Sequence, residues 1–337
     1  MRGLVRVGAA VPSLALGNVK ENMKRHLAMM REAKEKHVSI VTFPELSLTG
    51  YTCGDLFFQR RLLDDVTDAL LALKDEMPEE ILAVVGAPLE IEGALYNCAV
   101  VLHKGEIISA VPKTFLPNNG EFYEKRWFQS GDARRDASVA IPKLKTDVCR
   151  QAIFETEDGV RFGIELCEDL WTPEPPSIRH ARNGATLLVN LSASDETTGK
   201  DIYRRELVNG QSARLLCGYI YASAGDGEST QDVVYSGHNV IAENGHILKE
   251  SERFGSGVIC TEIDVKRIEA ERRRMTTFEM ADDSYVEVRF SLETEETALT
   301  RFIDPMPFVP GNEADRIRRC DEILAIQAAG LKKRLEH

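Results

Sequence analysis

Residues 38–45, Val38-Ser39-Ile40-Val41-Thr42-Phe43-Pro44-Glu45, form an apolar run that ends in a proline and a carboxylate. The length of the run and its β-branched residues predict a buried strand over Val38–Phe43. Pro44 has no N–H to give to a neighbouring strand, so it ends the pairing and lets Glu45 turn into a cleft. The segment therefore predicts a sheet with a carboxylate at one strand end.

Two other apolar runs end in a similar way. Ile107-Ile108-Ser109-Ala110-Val111-Pro112-Lys113 places an ammonium group after a proline, and Phe162-Gly163-Ile164-Glu165-Leu166-Cys167 ends in a thiol. Taken singly, a cysteine after a strand is most simply a small buried hydrophobe, and a lysine or glutamate there is a solvated cap. Together they matter more, because ligands of α/β sheets gather at the carboxyl ends of strands.

These three side chains match the needs of one reaction class. Acyl transfer by a thiol requires a thiolate nucleophile, a proton acceptor, and a positive or hydrogen-bonding group for the oxyanion. Cys167, Glu45 and Lys113 supply these functions without a histidine. The ammonium group of Lys113 is also expected to favour the thiolate. We therefore take these residues as the candidate catalytic group.

Outward from these segments, apolar runs alternate with helical patterns. Asn18 predicts the start of a helix, with Glu21 as its capping-box partner. Further helices are predicted over residues 60–76, 176–183, 200–217, 266–274 and 314–335. Further strands are predicted over residues 4–11, 81–87, 96–102, 106–111, 160–166, 186–191 and 219–224, with three more in 234–264. Residues 114–137 are predicted to form a long loop, and residues 275–312 to be irregular.

The first 264 residues thus contain two β/α-rich halves with hairpins between them. This pattern predicts an α/β fold, a four-layer α-β-β-α sandwich in which two mixed sheets pack face to face under outer helices. The character of the chain changes after about residue 265. We therefore predict a main domain over residues 1–265 and an appended segment over residues 266–337.

The composition of the 337 residues argues against several classes of function. A net charge of −12 disfavours a nucleic-acid surface, so Arg204-Arg205 and Lys266–Arg274 are expected to be solvated or interface faces. No apolar run approaches the ~20 residues of a membrane span, and no signal peptide is recognised, so a cytoplasmic protein without membrane contact is expected. Because no CxxC or HExxH motif occurs, neither a disulfide framework nor a metal site is expected. Six cysteines are expected to be core or incidental residues: Cys53, Cys98, Cys149, Cys217, Cys260 and Cys320.

Longer strings surround the candidate group: FPELSLTGYTCGDLF (43–57), PKTFLPNNGEFYEKRWF (112–128), CEDLWTPEPPS (167–177) and NLSAS (190–194). With Glu45, Lys113 and Cys167 inside them, the chain resembles the nitrilase (carbon–nitrogen hydrolase) superfamily and its Glu-Lys-Cys triad. Together with QSARLLCGYIYASAGDGEST (211–230) and IQAAGLKKRLEH (326–337), the strings are similar to the amino-terminal glutaminase domains of glutamine-dependent NAD⁺ synthetases.

This resemblance implies that Cys167 attacks the side-chain amide of L-glutamine, while Glu45 moves protons and Lys113 holds the oxyanion. It implies no cofactor or metal for this step. It also implies five residues at the substrate pocket or beside the triad: Tyr51, Asn119, Glu124, Glu168 and Ser194. Asn119 departs from the family, in which an aromatic residue, typically tyrosine, is expected at this position. The expected effect of this departure is a more open pocket wall or weaker coupling to a partner domain.

The resemblance also implies partners. Residues 1–265 would be the glutamine-hydrolysing domain, and residues 266–337 a linker and helix that lead toward an ATP-dependent synthetase domain. The SGGxDS pyrophosphate loop of that domain does not occur here. ATP and Mg²⁺ are therefore expected only in the absent synthetase domain, where ammonia would amidate deamido-NAD⁺. A homo-oligomer is expected, with helices in residues 170–183 and 200–217 as interface elements.

Two other functions stay open. One is a free-standing amidase or carbamoylase of the same superfamily that acts on another small amide. The other is a non-catalytic assembly subunit that keeps the fold. Release of ammonia from glutamine, compared with a panel of aliphatic amides, separates a glutaminase from an amidase with another substrate. A covalent adduct of Cys167 with an electrophilic glutamine analogue excludes the non-catalytic subunit.

Overall fold

The computed structural model describes residues 3–133, 138–281, 285–292 and 298–336. In these ranges lie the strands β1 (Leu4–Val11), β2 (Ile40–Thr42), β3 (Leu82–Ile91), β4 (Ala94–His103), β5 (Glu106–Pro112), β6 (Ser138–Ile141), β7 (Thr146–Cys149), β8 (Ala152–Thr156), β9 (Arg161–Leu166), β10 (Leu187–Ser192), β11 (Gly218–Ser223), β12 (Val240–Glu243), β13 (His246–Glu250), β14 (Gly257–Asp264) and β15 (Val286–Phe290). The α-helices are α1 (Val19–Glu35), α2 (Arg60–Glu76), α3 (Pro176–Arg182), α4 (Lys200–Leu215), α5 (Val265–Arg274) and α6 (Glu313–Leu335).

The strands form two mixed sheets. The strand order is β14-β1-β2-β3-β4-β5-β7-β6 in the first sheet and β13-β12-β11-β10-β9-β8-β15 in the second. Each sheet has three consecutive parallel strands, β1-β2-β3 and β9-β10-β11, whose connections run through α1, α2, α3 and α4. Parallel pairing requires such crossovers, and it brings the carboxyl ends of neighbouring strands to one edge.

Three apolar layers hold the sheets and helices together. Between the sheets, Val7, Ile40 and Val84 of the first sheet pack in one buried cluster with Ile164 and Val189 of the second. On the outer faces, α1 and α2 pack against the first sheet, and α3 and α4 pack against the second. The predicted four-layer α-β-β-α sandwich is therefore confirmed.

The prediction that residues 275–312 are irregular is wrong at one place, because Val286–Phe290 form β15. This strand pairs in parallel with β8 at the edge of the second sheet. Strands β6, β7 and β8 are not predicted from the sequence either, since each is only four or five residues long. The other predicted strands and helices are present with shifted ends.

The start of α1 shows half of the predicted capping box. Asn18 Oδ1 accepts the Glu21 N–H at 3.2 Å. The Asn18 N–H, however, donates to the Ala15 carbonyl, and the Glu21 carboxylate pairs with Arg25 at 3.2 Å. Asn18 thus caps the helix without the reciprocal bond from Glu21.

The chain divides into two compact units, one up to Thr300 and one from Arg301 onward. The second unit contains α6, which confirms the helix predicted over residues 314–335. Asn312 caps α6, since its Oδ1 accepts the Asp315 N–H at 2.7 Å. Among the described residues, no helix combines the length and the apolar character that crossing a membrane requires.

Candidate active site

Glu45 lies in a buried turn directly after β2. The Glu45 N–H donates to the Ser192 carbonyl at 3.3 Å, which ties this turn to the end of β10 in the other sheet. Gly86 of β3 permits the close approach, because a Cβ there would lie 2.3 Å from the Leu46 nitrogen and 2.4 Å from the Pro44 oxygen. Backbone from both sheets therefore positions this carboxylate.

Lys113 follows β5 and is fully buried among carboxylates. Its Nζ lies 2.6 Å from Glu45 Oε1 and 2.6 Å from Glu124 Oε1. Asn97 Nδ2 donates to Glu45 Oε1 at 2.7 Å, and Tyr51 OH donates to Glu124 Oε1 at 2.7 Å. The ammonium group is held in place because both of its carboxylate partners are themselves held.

One ammonium group thus lies between two carboxylates. Burial opposes the charged form of Lys113, but Glu124 and Glu45 raise its pKa well above the ordinary value. Burial raises the pKa of Glu124, and Lys113 counteracts this rise. Glu45 Oε2 and Glu124 Oε2 have no hydrogen-bond partner within the described part of the chain. Glu45 therefore has an oxygen available to accept a proton.

Cys167 stands where β9 ends and a short 3₁₀ helix, Cys167–Trp171, begins. Its φ of +43° lies in the left-handed region, which residues other than glycine rarely adopt. The Cys167 N–H donates to Asn190 Oδ1 at 3.2 Å. The nucleophile candidate is thus on a sharp turn from strand to helix.

The pKa of the Cys167 thiol lies above its ordinary value. Burial raises this pKa, Glu45 raises it further, and Lys113 lowers it by less than the other two effects raise it. Lys113 thus favours the thiolate, as expected, but burial and Glu45 outweigh it, so the resting thiol is neutral. A neutral thiol needs a base at the moment of attack, and Glu45, the carboxylate that acts most strongly on this thiol, has an available oxygen.

Two of the predicted pocket residues, Tyr51 and Glu124, belong to the buried cluster around Lys113. Glu168 directly follows the thiol and is half-buried; burial raises its pKa, while Lys113 lowers it. Ser194 is buried and follows Ala193, whose backbone forms a hydrogen bond with the Cys167 thiol. These four predicted residues therefore surround the triad.

The fifth, Asn119, lies elsewhere on the loop after β5. It is exposed, and its carbonyl accepts the Phe122 N–H at 3.1 Å. It is not among the residues that line the cavity beside Tyr51. The structure thus does not bring Asn119 to the buried cluster.

A cavity of about 300 Å³ opens beside Tyr51, and none of the three candidate catalytic residues lines it directly. Its wall includes Tyr51, whose hydroxyl reaches the buried cluster, and Tyr235. Its lining also carries charged side chains: Asp55, Glu121, Arg126 and Asp232. A larger cavity of about 910 Å³ lies along β5, β6, β7 and β15, and none of the three candidate catalytic residues lines it.

Sequence reasoning missed two buried groups that support the site, Asn97 and Glu228. Glu228 accepts the Tyr51 N–H at 2.7 Å, the Thr52 N–H at 3.0 Å and the Thr52 hydroxyl at 2.6 Å, so it anchors the segment that carries Tyr51. Asn97 had a usable signal, because an amide inside an apolar strand must find a hydrogen-bond partner. Glu228 lies in a loop, where the sequence carries no such signal.

Arg204 corrects another expectation, because it is fully buried and not on a solvated or interface face. Its Nη1 lies 3.1 Å from Glu196 Oε2 and donates to His238 Nδ1 at 2.8 Å. Its Nη2 donates to the Asp195 carbonyl at 3.2 Å. A guanidinium group at this depth needs such partners, and here they fix the segment that carries Ser194.

The carbon-nitrogen hydrolase family profile matches residues 7–273, which include Glu45, Lys113 and Cys167. The chain belongs to the carbon-nitrogen hydrolase family. Membership confirms the predicted hydrolase class and the predicted superfamily.

Several proteins are similar to this carbon-nitrogen hydrolase. A glutamine-dependent NAD⁺ synthetase of Mycobacterium tuberculosis (strain H37Rv) is 38% identical over 347 residues, covering 99% of this chain and 51% of the relative. A crystal structure of a glutamine-dependent NAD⁺ synthetase from Cytophaga hutchinsonii has a TM-score of 0.69 at 30% identity, covering 78% of this chain and 43% of that chain. A carbon-nitrogen hydrolase from Helicobacter pylori G27 shares the fold, with a TM-score of 0.67 at 18% identity, covering 84% of this chain and 100% of that chain. The chain spans about half the length of the curated relatives it matches.

Proposed function

We propose that this chain is the glutaminase domain of a glutamine-dependent NAD⁺ synthetase and that it hydrolyses L-glutamine to glutamate and ammonia. The observation that carries the proposal is the buried convergence of Glu45 and Lys113 on the Cys167 turn. The 38% identity to a protein of that name supports glutamine as the amide donor.

In the first half of the reaction, Glu45 Oε2 accepts the thiol proton as Cys167 Sγ attacks the side-chain amide carbon of glutamine. A C–S bond forms, and the carbonyl π electrons move to the oxygen. Lys113 and the Glu168 N–H stabilise this oxyanion. When the tetrahedral intermediate collapses, the C–N bond breaks and ammonia leaves with the proton from Glu45.

In the second half, a water molecule attacks the γ-glutamyl thioester. Glu45 takes a proton from this water, Lys113 again stabilises the oxyanion, and the proton returns to the departing thiolate. Lys113 needs no reorganisation in either half, because Glu45 and Glu124 already hold its ammonium group in a dry site.

We assign glutamine entry to the cavity beside Tyr51. A volume of about 300 Å³ suits a small amino acid. Its carboxylates and its guanidinium group offer partners of both signs for the α-ammonium and α-carboxylate groups. Glu124 braces Lys113 in this proposal, and Glu168 and Ser194 border the bound amide. Asn119 lies outside this cavity, so its proposed role is limited to the outer loop.

The partner is a synthetase domain beyond this sequence, and the length of the relatives supports it. ATP and Mg²⁺ belong to that domain in this proposal, and the glutaminase step uses neither. Of the predicted segment 266–337, the part up to Thr300 belongs to the sandwich unit, and the part from Arg301 onward, with α6, serves as the linker and helix between the domains. The chain is also proposed to form a homo-oligomer through helices in residues 170–183 and 200–217. Light scattering at micromolar concentration measures its oligomeric state.

Ammonia release from L-glutamine and from a panel of aliphatic amides tests the function. We expect L-glutamine to be strongly preferred and Cys167→Ala to abolish its hydrolysis, because Cys167 is the thiol on which both Glu45 and Lys113 act. Cys320→Ala, on α6, is the matched control and should keep wild-type activity. Substantial glutamine hydrolysis by Cys167→Ala would contradict the mechanism, and a preference for another amide would identify a different amidase.

A further inference from the structure

A buried chain of hydrogen bonds runs from the backbone of Cys167 into the second sheet. Asn190 on β10 accepts the Cys167 N–H at Oδ1, at 3.2 Å, and donates from Nδ2 to Tyr219 OH at 3.1 Å. Tyr219 on β11 donates its hydroxyl proton to Glu165. Asn190, Tyr219 and Glu165 are buried, and the reaction steps above use none of them.

The chain continues into the outer helices. Glu165 Oε2 accepts the Ser177 N–H at 2.8 Å in the first turn of α3. Gln211 of α4 donates from Nε2 to Ser177 Oγ at 2.9 Å. Because Glu165 also lies two residues before Cys167 on β9, the far end of the chain is fixed to the same strand as the nucleophile.

This arrangement fixes the orientation of the Asn190 amide. Ser192 Oγ donates to Asn190 Oδ1 at 2.9 Å, as the Cys167 N–H does, so that side of the amide must be the oxygen. Tyr219 has one proton and gives it to Glu165, so its oxygen must accept from Nδ2. A flipped amide would place its NH₂ group against the Cys167 N–H, which can only donate.

Cys167 requires an acceptor at this point. A φ of +43° is unfavourable for a residue with a Cβ, and it persists only where the surroundings hold it. The Cys167 N–H donates to the side chain of Asn190 on β10, so this hydrogen bond links the turn to the neighbouring strand.

We propose that Asn190 and Tyr219 are positioning residues for the nucleophile. Asn190 Oδ1 holds the Cys167 backbone in its left-handed turn, and Tyr219 with Glu165 holds the amide in the orientation that can do so. The inference rests on the proposed function in one respect, the identity of Cys167 as the nucleophile.

Tyr219→Phe is the first test, because it deletes one buried hydroxyl and releases the amide to flip. We expect kcat for glutamine to fall about tenfold with KM within about twofold, since misplacement of the nucleophile affects the chemical step and not binding. Alkylation of Cys167 by iodoacetamide, followed on its peptide by mass spectrometry, should slow by a similar factor. Tyr285→Phe is the matched control, because its hydroxyl lies 3.0 Å from His180 Nδ1, away from Cys167. It should leave kcat and alkylation unchanged.

Asn190→Asp is the second test, because it keeps an oxygen for the Cys167 N–H and adds a negative charge. We expect the turn to be kept but the pH profiles of kcat/KM and of alkylation to move up by about one unit, since the charge disfavours the thiolate. Asn190→Leu removes the acceptor and should lower both rates at every pH without such a shift. A merely structural role for Asn190 predicts no difference of this kind.

The inference is overturned if Tyr219→Phe and Asn190→Asp fold, as judged by thermal unfolding, and keep wild-type kcat and alkylation rates at every pH. If Asn190→Leu does not fold, the other two variants still decide. Because alkylation needs no substrate, the expected alkylation pattern in a protein that does not hydrolyse glutamine supports the positioning role while contradicting the proposed function.

Discussion

At the scale of single residues, the site depends on a charge balance around Lys113. Its ammonium group lies between Glu45 and Glu124, each at 2.6 Å and each fully buried. Removing one partner from a buried ion set leaves uncompensated charge, which costs far more than the set itself contributes to stability. The same ammonium group stabilises the oxyanion, so stability and catalysis share one residue.

Lys113→Met should therefore abolish glutamine hydrolysis and lower the free energy of unfolding by about 3–5 kcal/mol at neutral pH. Without the ammonium group, nothing counteracts the burial and the Glu45 charge that raise the pKa of Glu124, so the folded variant binds more protons than the unfolded chain. Its stability should therefore recover as the pH falls from about 7.5 toward 5. Denaturant unfolding at both pH values measures this.

The double variant Lys113→Met/Glu124→Gln is the matched control. It leaves Glu45 as the one carboxylate of the pair, so it should be more stable than Lys113→Met at pH 7.5 and less dependent on pH. Equal stability of the two variants at both pH values would contradict the account.

The triad could be predicted from sequence because each of its members ends an apolar strand, a pattern with a physical cause. Asn190 and Asn97 also carried a signal, since each is an amide inside an apolar strand. Their partners could not be predicted, because Tyr219 and Glu165 meet only after three strands pair in register. The raised pKa of Cys167 was likewise beyond the sequence, because it depends on the depth of burial.

At the scale of elements, the crossing of the Pro44–Leu46 turn over β3 decides where Glu45 lies. Gly86 is the contact point, and a Cβ there would also lie 2.8 Å from the Glu45 carbonyl carbon. These atoms are backbone, so an added methyl group must displace the turn itself. The glycine in β3 is therefore a condition for the position of the base.

Gly86→Ala should lower kcat for glutamine by about 100-fold or more, because a shift of about 1 Å in a catalytic group is enough for such a loss. Gly210→Ala is the matched control in α4, where an added Cβ meets nothing within 4 Å. It should keep activity and stabilise the protein by about 0.5–1 kcal/mol. Glutamine assays with thermal unfolding compare the two; wild-type kcat in Gly86→Ala would show that the contact does not position Glu45.

Elements with a long periodic pattern, such as α1 and α2, could be predicted from sequence, and so could the strands between them. β15 could not, because five alternating residues inside an otherwise irregular stretch carry little local signal. Its pairing with β8 comes from tertiary structure, and β8 is itself short and follows β7 closely. A local sequence pattern thus does not determine which strands pair or in what register they do so.

At the scale of the whole molecule, β15 belongs to the first compact unit, and α6 belongs to the second. A chain ending at residue 300 should therefore keep the thermal unfolding midpoint of the sandwich. A chain ending at residue 274 loses β15, exposes the edge of β8 and removes the Ser291 carbonyl that lies 2.7 Å from His103 Nε2. Its midpoint should fall by about 2 °C for each kcal/mol of stability lost, as expected for a domain of this size. Equal midpoints for the two truncations would show that β15 does not stabilise the sandwich.

The central claim is that Cys167, with Glu45 and Lys113, is the nucleophile of a glutaminase. Its most direct test is peptide mass spectrometry of the protein after incubation with an electrophilic glutamine analogue, with and without excess L-glutamine. The account predicts one adduct, on the Cys167 peptide, that L-glutamine suppresses and that forms in proportion to the loss of ammonia release. An adduct on another cysteine, or a Cys167 adduct that L-glutamine does not suppress, would contradict it.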